Sequence, residues 1–245
     1  MTEAEAATRH VVITGGASGI GLGIVRELAA EGWRCTVFDL DPAGRSAADE
    51  VGGTFLQVDV TAPEALRAAF AEAADRGGPL DGLVNSAGIN RTGPSSELAV
   101  EDWRHVIDVD LSGTFYACQA AYPYLIPGAA IVNVASVLAT RALAGRVAYT
   151  AAKHGVVGLT RVLAVEWADR PIRVNAIAPS WTDTPLIRGQ LEAGAIDLEM
   201  LDRVPFGRLA RVEEVVGAVT FLLSPKAAFI TGQTLAVDGG YTWAG

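Results

Sequence analysis

Short β-branched runs alternate with longer amphipathic segments along the 245-residue chain. This alternation is typical of a parallel sheet with helices on both faces and right-handed connections. No linker, repeat or low-complexity segment interrupts it, so the pattern predicts one α/β domain. Strands are predicted over Val11–Ile13, Arg34–Phe38, Thr54–Val58, Gly82–Val84, Ala130–Val134 and Arg173–Ile177. Helices are predicted over Leu22–Glu31, Ala62–Arg76, Val100–Ile126 and Val147–Ala168.

Polar and glycine-rich residues follow the strands at their carboxyl ends, where open α/β sheets bind ligands. The first strand runs into Thr14–Gly21, a glycine-rich turn that opens a helix. Glycines let the backbone approach an anion, and helix N–H groups point at it, so this turn is a candidate phosphate cradle. Its spacing is G-x-x-x-G-x-G instead of the standard dinucleotide pattern G-x-G-x-x-G, and an ordinary β-to-α turn is the alternative.

Asp39 ends the second strand, 20 residues after Gly19. Dinucleotide-binding folds place a carboxylate at this position to bind the adenosine ribose hydroxyls. A phosphate charge about 4 Å from that carboxylate would cost about 4 kcal/mol at an effective dielectric constant of about 20. This energy corresponds to roughly a thousandfold in affinity. No Arg or Lys lies in the glycine turn or directly after Asp39, so the sequence predicts NAD as the cofactor.

Tyr149 and Lys153 lie four residues apart in one predicted helix, so their side chains share a face. A phenol beside an ammonium is suited to proton transfer. A positive charge within about 4–6 Å lowers an acid's pKa by roughly 1–3 units, which predicts a Tyr149 pKa of roughly 7–9. The same pair also occurs on ordinary amphipathic helix surfaces. The other motifs therefore decide between the two interpretations.

Composition and charge exclude several function classes. The net charge of −9 argues against nucleic-acid binding, and no apolar run reaches the roughly 18–20 residues of a membrane span. Cys35 and Cys118 lie in apolar segments, as expected of buried thiols in a reducing cytoplasm. No Cys/His cluster has zinc spacing, so no metal is expected. Met1–Arg9 lacks an apolar signal core, and we expect a short flexible tail before a domain over 10–245.

A set of motifs runs through the chain in a fixed order, with 13 residues from Ser136 to Tyr149. They are Thr14–Gly21, Asn85–Gly88, Ser136, Tyr149-x-x-x-Lys153 and Asn175–Pro179, followed by Ile230–Gly240 near the C-terminus. Together they resemble the short-chain dehydrogenase/reductase family over nearly the whole chain. The resemblance implies a Rossmann-type, doubly wound parallel sheet of about seven strands, with an architecture like that of the 3-oxoacyl reductases.

The resemblance also implies residue roles. Tyr149 would exchange the proton of the substrate oxygen, Ser136 would hydrogen-bond that oxygen, and Lys153 would hold the nicotinamide ribose and lower the tyrosine pKa. The cofactor NAD (NADH) is then expected to contact Gly15, Ser18, Gly19, Ile20, Gly21, Asp39, Leu40, Asp59, Val60, Asn85, Ala87, Gly88, Tyr149, Lys153, Pro179, Thr182 and Thr184, the last three beside the nicotinamide carboxamide.

Asp110 departs from the family pattern, which usually has an asparagine here that helps hold a water in a proton relay to Lys153. A carboxylate accepts hydrogen bonds from such a water but cannot donate one. It would also stabilise a charged Lys153. We therefore expect Asp110 to belong to the catalytic set with Ser136, Tyr149 and Lys153, and to influence the pH dependence of the reaction.

A substrate lid is expected over 184–204, with two short surface helices as the alternative. Arg141 and Arg146 lie between Ser136 and Tyr149 and could bind an anionic substrate, although such arginines are more often solvated or paired. The apolar underside of the lid is expected at Trp181, Leu186, Ile187 and Leu191, and the opposite wall at Leu138, Leu143 and Val147.

Two helices look apolar on more than one face, the one around Leu111–Ile126 and the one that carries Tyr149. Gly155 and Gly158 in the second helix would permit close helix approach. We therefore expect helices of different subunits to associate. The family resemblance implies a homotetramer first and a dimer second.

The predicted function is an NAD(H)-dependent oxidoreductase that interconverts a secondary alcohol (a polyol, sugar or cyclic alcohol) and its ketone. One alternative is reduction of 3-oxoacyl groups on a carrier protein, but those reductases usually carry a basic residue where this chain has Ala17-Ser18. A non-catalytic dinucleotide-binding regulator should have lost Ser136, Tyr149 or Lys153, and all are present. A lyase or epimerase cycle with retained cofactor is a further alternative, which the glycine pattern and domain size disfavour.

Overall fold

Seven parallel strands form one sheet in the order β3-β2-β1-β4-β5-β6-β7. The computed structural model describes residues 8–194 and 196–244. Because the strand order reverses between β1 and β4, a crevice opens at the carboxyl ends of these two strands. The predicted α/β, doubly wound fold is confirmed. The strands are β1 (His10–Thr14), β2 (Arg34–Asp39), β3 (Thr54–Gln57), β4 (Leu80–Asn85), β5 (Leu125–Val134), β6 (Arg173–Pro179) and β7 (Thr234–Val237).

Helices cover both faces of this sheet. Successive strand residues point to opposite faces, so Val11 and Ile13 belong to one core while Val12 belongs to the other. The first core packs under α1 and α8, and the second under α3, α5 and α6. The helices in the described residues are α1 (Gly19–Ala30), α2 (Gly44–Glu50), α3 (Pro63–Gly77), α4 (Val100–Ile107), α5 (Gly113–Ala121), α6 (Val147–Glu166), α7 (Pro185–Glu192) and α8 (Val212–Leu223).

The predicted helix Val100–Ile126 is wrong at its C-terminal end. The chain is helical through α4, a π-helical turn at Asp108–Ser112, α5 and a 3₁₀ turn at Tyr122–Tyr124. Leu125 then begins β5, where it pairs with Leu80 of β4. Both the helix end and the strand start are apolar, so hydrophobic periodicity gives no boundary between them. Helices α2 and α8 are absent from the predicted elements.

The predicted tail meets the described part of the chain only at its last residues, since residues 1–7 lie outside it. The Arg9 guanidinium lies 4.0 Å from the centroid of the Trp33 ring. The Arg9 carbonyl accepts a 2.8 Å hydrogen bond from Arg34 N. Arg9 therefore packs on the fold instead of belonging to a free tail. Across the described ranges, no helix is long and apolar enough to cross a membrane.

Candidate active site

The glycine turn after β1 forms one wall of the crevice. Gly15 has a φ of +69°, and a Cβ there would lie 2.6 Å from the Ala87 amide nitrogen. A Cβ on Gly21 would clash with the Gly15 carbonyl oxygen, so the turn requires glycine at both positions. Ser18 precedes α1 but makes no side-chain capping hydrogen bond. The N–H groups of the first turn of α1 therefore remain available for an anion.

A cavity of about 350 Å³ lies over this turn, and we call it the glycine-turn cavity. Most of the residues predicted to bind the cofactor line it, together with His105 and Val109, which the sequence reasoning missed. No motif marks these two residues, because they reach the cavity from the helices α4 and the π-helical turn. The predicted lining residues present are Gly15, Ser18, Gly19, Ile20, Asp39, Leu40, Asp59, Val60, Ala87, Gly88, Tyr149, Lys153 and Thr184.

Asn85, which the sequence predicts to contact the cofactor, does not line this cavity. Its side chain is buried beneath the sheet end, where Nδ2 donates to Asn133 Oδ1 at 2.8 Å and to Cys118 Sγ at 3.2 Å. The side chain of the last β4 residue points into the sheet's covered face, whereas the following turn residues reach the crevice. Gly21 is also outside the lining and acts through the close packing described above.

Asp39 lines the glycine-turn cavity. Its Oδ2 accepts a 2.9 Å hydrogen bond from Ala17 N in the glycine turn, and its Oδ1 accepts one of 2.9 Å from Asp41 N. These bonds fix the carboxylate between β2 and the turn. Among the described residues that line the cavity, Lys153 and His105 are the only basic ones.

Ser136, Tyr149 and Lys153 come together around the Tyr149 side chain. Lys153 lies one helical turn after Tyr149 on α6, with Nζ 5.4 Å from the centroid of the Tyr149 ring. Ser136 follows β5, and its Oγ accepts a 3.1 Å hydrogen bond from Leu138 N at the start of a 3₁₀ turn. Tyr149 lines both the glycine-turn cavity and a smaller cavity that Ser136 lines.

The prediction that Lys153 lowers the Tyr149 pKa into the neutral range is wrong for the net shift. Burial disfavours the phenolate and raises the pKa of Tyr149 above its ordinary value. Lys153 and the Ser136 hydroxyl act in the lowering direction, but Asp110 raises the pKa further. Sequence spacing shows that Lys153 is a helix neighbour of Tyr149, but it does not show that Tyr149 is buried. The effect of burial on the pKa outweighs that of Lys153.

Asp110 lies in the π-helical turn, fully buried, where it meets Lys153. Its Oδ1 accepts a 2.8 Å hydrogen bond from Ile89 N, and its Oδ2 lies 3.3 Å from Lys153 Nζ. Lys153 Nζ also donates to the Val134 carbonyl at 2.9 Å. Burial lowers the pKa of Lys153, but Asp110 and Tyr149 outweigh burial, and the net pKa of the ammonium is raised. Asp110 therefore keeps Lys153 charged, as the sequence predicts.

The smaller cavity, of about 110 Å³, lies on the substrate side of Tyr149, and we call it the inner cavity. Of the predicted walls, Leu143 and Leu191 do not line it, and Val147 is 40% exposed. Val147 lies two residues before Tyr149, and helix positions two apart face different directions. Lining residues already predicted are Ser136, Leu138, Tyr149, Pro179, Trp181, Thr182, Thr184, Leu186 and Ile187; Asn90 and Gln190 also line it and carry no sequence signal.

The two candidate arginines are in different environments. Arg141 donates to the carbonyl oxygens of Thr242 at 2.7 Å and Ala244 at 3.0 Å, and it lies outside the inner cavity. Arg141 therefore holds the C-terminal segment, and the anion-binding hypothesis does not apply to it. Arg146 lines the inner cavity and donates from Nη2 to Gln190 Oε1 at 2.9 Å. Burial lowers the pKa of this guanidinium.

Known proteins are similar to this chain over nearly its whole length. The family model described as enoyl-(acyl carrier protein) reductase matches residues 15–242. D-threitol dehydrogenase of Mycolicibacterium smegmatis is 41% identical over 239 residues, which cover 94% of this chain and 92% of the relative. Cis-4-hydroxycyclohexanecarboxylate dehydrogenase of Sinomonas cyclohexanicum is 43% identical over 244 residues, which cover 96% and 97%.

A solved structure extends this similarity to three dimensions. The ligand-free structure of aldohexose dehydrogenase from Thermoplasma acidophilum superposes with a TM-score of 0.88 at 34% identity. The match covers 96% of this chain and 94% of that one.

Proposed function

The chain belongs to the short-chain dehydrogenase/reductase family and is an oxidoreductase that interconverts a secondary alcohol and a ketone. We propose that NAD(H) is its cofactor. We also propose that its catalytic residues are Ser136, Tyr149, Lys153 and Asp110. The observation that carries this proposal is the position of Tyr149, whose side chain lines both the glycine-turn cavity and the inner cavity. A group in that position contacts cofactor and substrate together.

The residues of the glycine-turn cavity fit a dinucleotide. The uncapped first turn of α1 forms an anion cradle, and Asp39 offers carboxylate oxygens for ribose hydroxyls. Gly15, Ser18, Gly19 and Ile20 would hold the pyrophosphate. When bound, the dinucleotide supplies the nicotinamide that accepts or returns a hydride.

Proton transfer is the task of the protein's own side chains. In alcohol oxidation, the Tyr149 oxygen takes the proton of the substrate hydroxyl while Ser136 Oγ hydrogen-bonds the same oxygen. In ketone reduction, Tyr149 returns that proton. Lys153, held charged by Asp110, stabilises the phenolate in both directions. Because burial raises the pKa of Tyr149, oxidation should accelerate toward alkaline pH, where the phenolate forms more readily.

NAD is proposed over NADP because Asp39 places a carboxylate in the cavity lining, where Lys153 and His105 are the only basic residues among those described. Asp39→Ser keeps an oxygen that can accept the Ala17 N–H bond but removes the charge. We expect the ratio of kcat/KM for NADP to that for NAD to rise on the order of 10²–10³-fold. Asp41→Asn, a change at a neighbouring exposed carboxylate, is the matched control and should leave the ratio unaltered. A wild-type preference for NADP would contradict the proposal.

Polyols, sugars and cyclic alcohols are the proposed substrates. The relatives named above act on threitol and on a hydroxylated cyclohexanecarboxylate, and the inner cavity is small. Reduction of 3-oxoacyl carrier-protein substrates is the second candidate. It is favoured by 36% identity over 241 residues to a relative named 3-oxoacyl-[acyl-carrier-protein] reductase from Chlamydia muridarum, and disfavoured by the absence of a basic residue at Ala17-Ser18. A panel of secondary alcohols, polyols, hydroxy acids and a 3-oxoacyl thioester, followed by absorbance of the reduced cofactor, separates the two. Turnover of a 3-oxoacyl thioester alone would reject the dehydrogenase assignment.

A homotetramer is the proposed assembly, with a dimer second. Val162 and Val165 on α6 are exposed, Val165 by 78%, and Phe115 on α5 is exposed as well. Of the two glycines expected at a subunit contact, Gly155 packs within the chain, since a Cβ there would lie 2.7 Å from Leu111. Gly158 faces open space and remains available. Light scattering that gives a monomer at micromolar concentration would reject both assemblies.

The segment 184–204 is the proposed lid. It contains α7 and a 3₁₀ helix over Leu198–Arg203. Leu186 and Ile187 of α7 line the inner cavity, and Met200 lines the larger outer cavity of about 880 Å³ beyond it. The free thiols Cys35 and Cys118 are buried, which supports a reducing cytoplasm as the compartment.

A further inference from the structure

Arg146 combines burial and positive charge with the lack of a counter-charge. Its side chain is 3% exposed. Nη2 is bonded to Gln190, but Nη1 is buried and has no hydrogen-bond partner within the described part of the chain. No carboxylate oxygen of the described residues lies within 4.0 Å of the guanidinium. Because a buried charge without a partner is unfavourable, binding of an anion next to this side chain would be favourable.

The backbone near Arg146 adds to the positive electrostatic potential. Arg146 is the residue that precedes α6, a helix of 20 residues. The N-terminal end of a helix carries a partial positive charge, so a cation is unfavourable there and an anion is favourable. An anionic group beside Arg146 would therefore interact favourably with both the guanidinium and the partial positive charge at the start of α6.

A second unpartnered donor lines the same cavity. Trp181 Nε1 is buried without an acceptor among the described residues, and Trp181 lines the inner cavity together with Arg146. A carboxylate has two oxygens that accept hydrogen bonds, and it can satisfy two donors together. The surrounding walls at Leu138, Leu186 and Ile187 are apolar and suit a hydrocarbon frame.

We propose that Arg146, with Trp181, binds a carboxylate of the substrate, so that the substrate is a small hydroxy acid whose secondary alcohol faces Ser136 and Tyr149. This inference rests on the proposed function. Arg146 directly precedes α6, Tyr149 lies in the first turn of α6, and both residues line the inner cavity. The start of α6 would then hold the carboxylate and the reacting carbon in a fixed relation, which orients the alcohol for proton transfer.

The outer cavity supplies the charges that compete for Arg146. Asp197, Glu199 and Asp202 line it, as do Arg146 and Trp181. If one of these carboxylates served as the partner of Arg146, the guanidinium would be neutralised and a substrate anion would gain nothing. Wild-type binding distinguishes the two arrangements without any substitution.

The first test measures binding to the wild-type enzyme in the presence of NADH. Cyclohexanecarboxylate and its uncharged carboxamide are matched in shape and contain no oxidisable alcohol. Quenching of Trp181 fluorescence reports occupancy, with Trp181→Phe identifying the signal. We expect the carboxylate to bind roughly 10–100-fold more tightly, as hydrogen bonds to a charged group require. Equal or weaker binding of the carboxylate would overturn the inference.

The second test compares variants on 4-hydroxycyclohexanecarboxylate and 4-hydroxycyclohexanecarboxamide. Arg146→Gln should lower kcat/KM for the acid roughly 10–100-fold and for the amide by a smaller factor. Gln190→Glu keeps Arg146 but gives it an internal carboxylate, so it should also remove the preference for the acid. Arg161→Gln, an exposed position on α6, is the control and should leave the preference intact.

An equal loss for acid and amide in Arg146→Gln would mean that the arginine only holds α7 through Gln190. The failure of the inference is distinguishable from that of the proposed function. Wild-type turnover of neutral secondary alcohols without preference for acids rejects this inference alone. Absence of turnover with any secondary alcohol rejects the proposed function, while the binding measurement still tests Arg146.

Discussion

The glycine-turn cavity and the inner cavity meet at Tyr149 but are built from different kinds of chain. The first is lined mainly by residues that directly follow parallel strands, such as Gly15, Asp39 and Gly88. The second draws on the loop after β5, the start of α6 and the segment after β6, including Arg146, Trp181 and Gln190.

This difference decides what each cavity can recognise. Strand ends are positioned by the sheet's hydrogen bonds, so the first cavity presents backbone groups and the carboxylates of Asp39 and Asp59 to a ligand of fixed shape. Loop and lid residues are positioned by packing, so the second cavity presents side chains, among them a buried cation. The cofactor is therefore determined by the common framework, and the substrate by a few side chains.

Tyr149→Phe removes the phenolic hydroxyl of a residue that lines both cavities. We expect kcat to fall about 10²–10⁴-fold, since general acid–base catalysis is lost. The affinity for NADH should change little, because the ring that lines the glycine-turn cavity is retained. Steady-state kinetics and fluorescence titration with NADH measure the two quantities. Turnover near the wild-type rate would mean that proton transfer does not pass through this residue.

Asn85→Ala tests whether Asn85 contributes to fold stability and not to cofactor binding. Because Asn85 bonds to Asn133 and Cys118 inside the fold, the free energy of unfolding should fall by about 1–3 kcal/mol. Cofactor affinity of the folded enzyme should change little. Denaturant unfolding and NADH titration test the two statements. Gly88→Ala is the matched control: its Cβ would lie 3.3 Å from Asp110 Oδ2, so it should weaken the cofactor site more than the fold.

Asp110→Asn should have the smallest effect on activity. It acts on Tyr149 and Lys153 through the loss of a negative charge. Asp110 raises the pKa of Tyr149 and of Lys153, so removing its charge should lower both. Alcohol oxidation needs Tyr149 as a base, and its rise with pH should therefore shift to lower pH by about one unit. The enzyme should keep substantial activity. A pH–rate profile of kcat/KM measures the shift, and an unchanged profile would exclude an electrostatic role for this carboxylate.

Sequence motifs located the glycine-turn cavity better than the inner cavity. The strand ends at Gly15, Asp39 and Gly88 line it as predicted, whereas Asn85, the last residue of β4, does not. A motif records position along the chain but not the face to which a strand residue points. In the inner cavity, hydrophobic type alone gave Leu186 and Ile187 correctly, but it also gave Val147, which helical phase turns toward solvent.

The sequence by itself determined the alternating α/β order, the glycine turn, Asp39 at the end of β2 and the Tyr149–Lys153 pair, because each depends on short-range spacing. Only the tertiary structure decided which of two arginines is a free buried cation, that Asn85 belongs to the core, and that burial raises the pKa of Tyr149. These properties depend on distances between segments far apart in the chain and on the exclusion of water. Both arise only when the segments pack together.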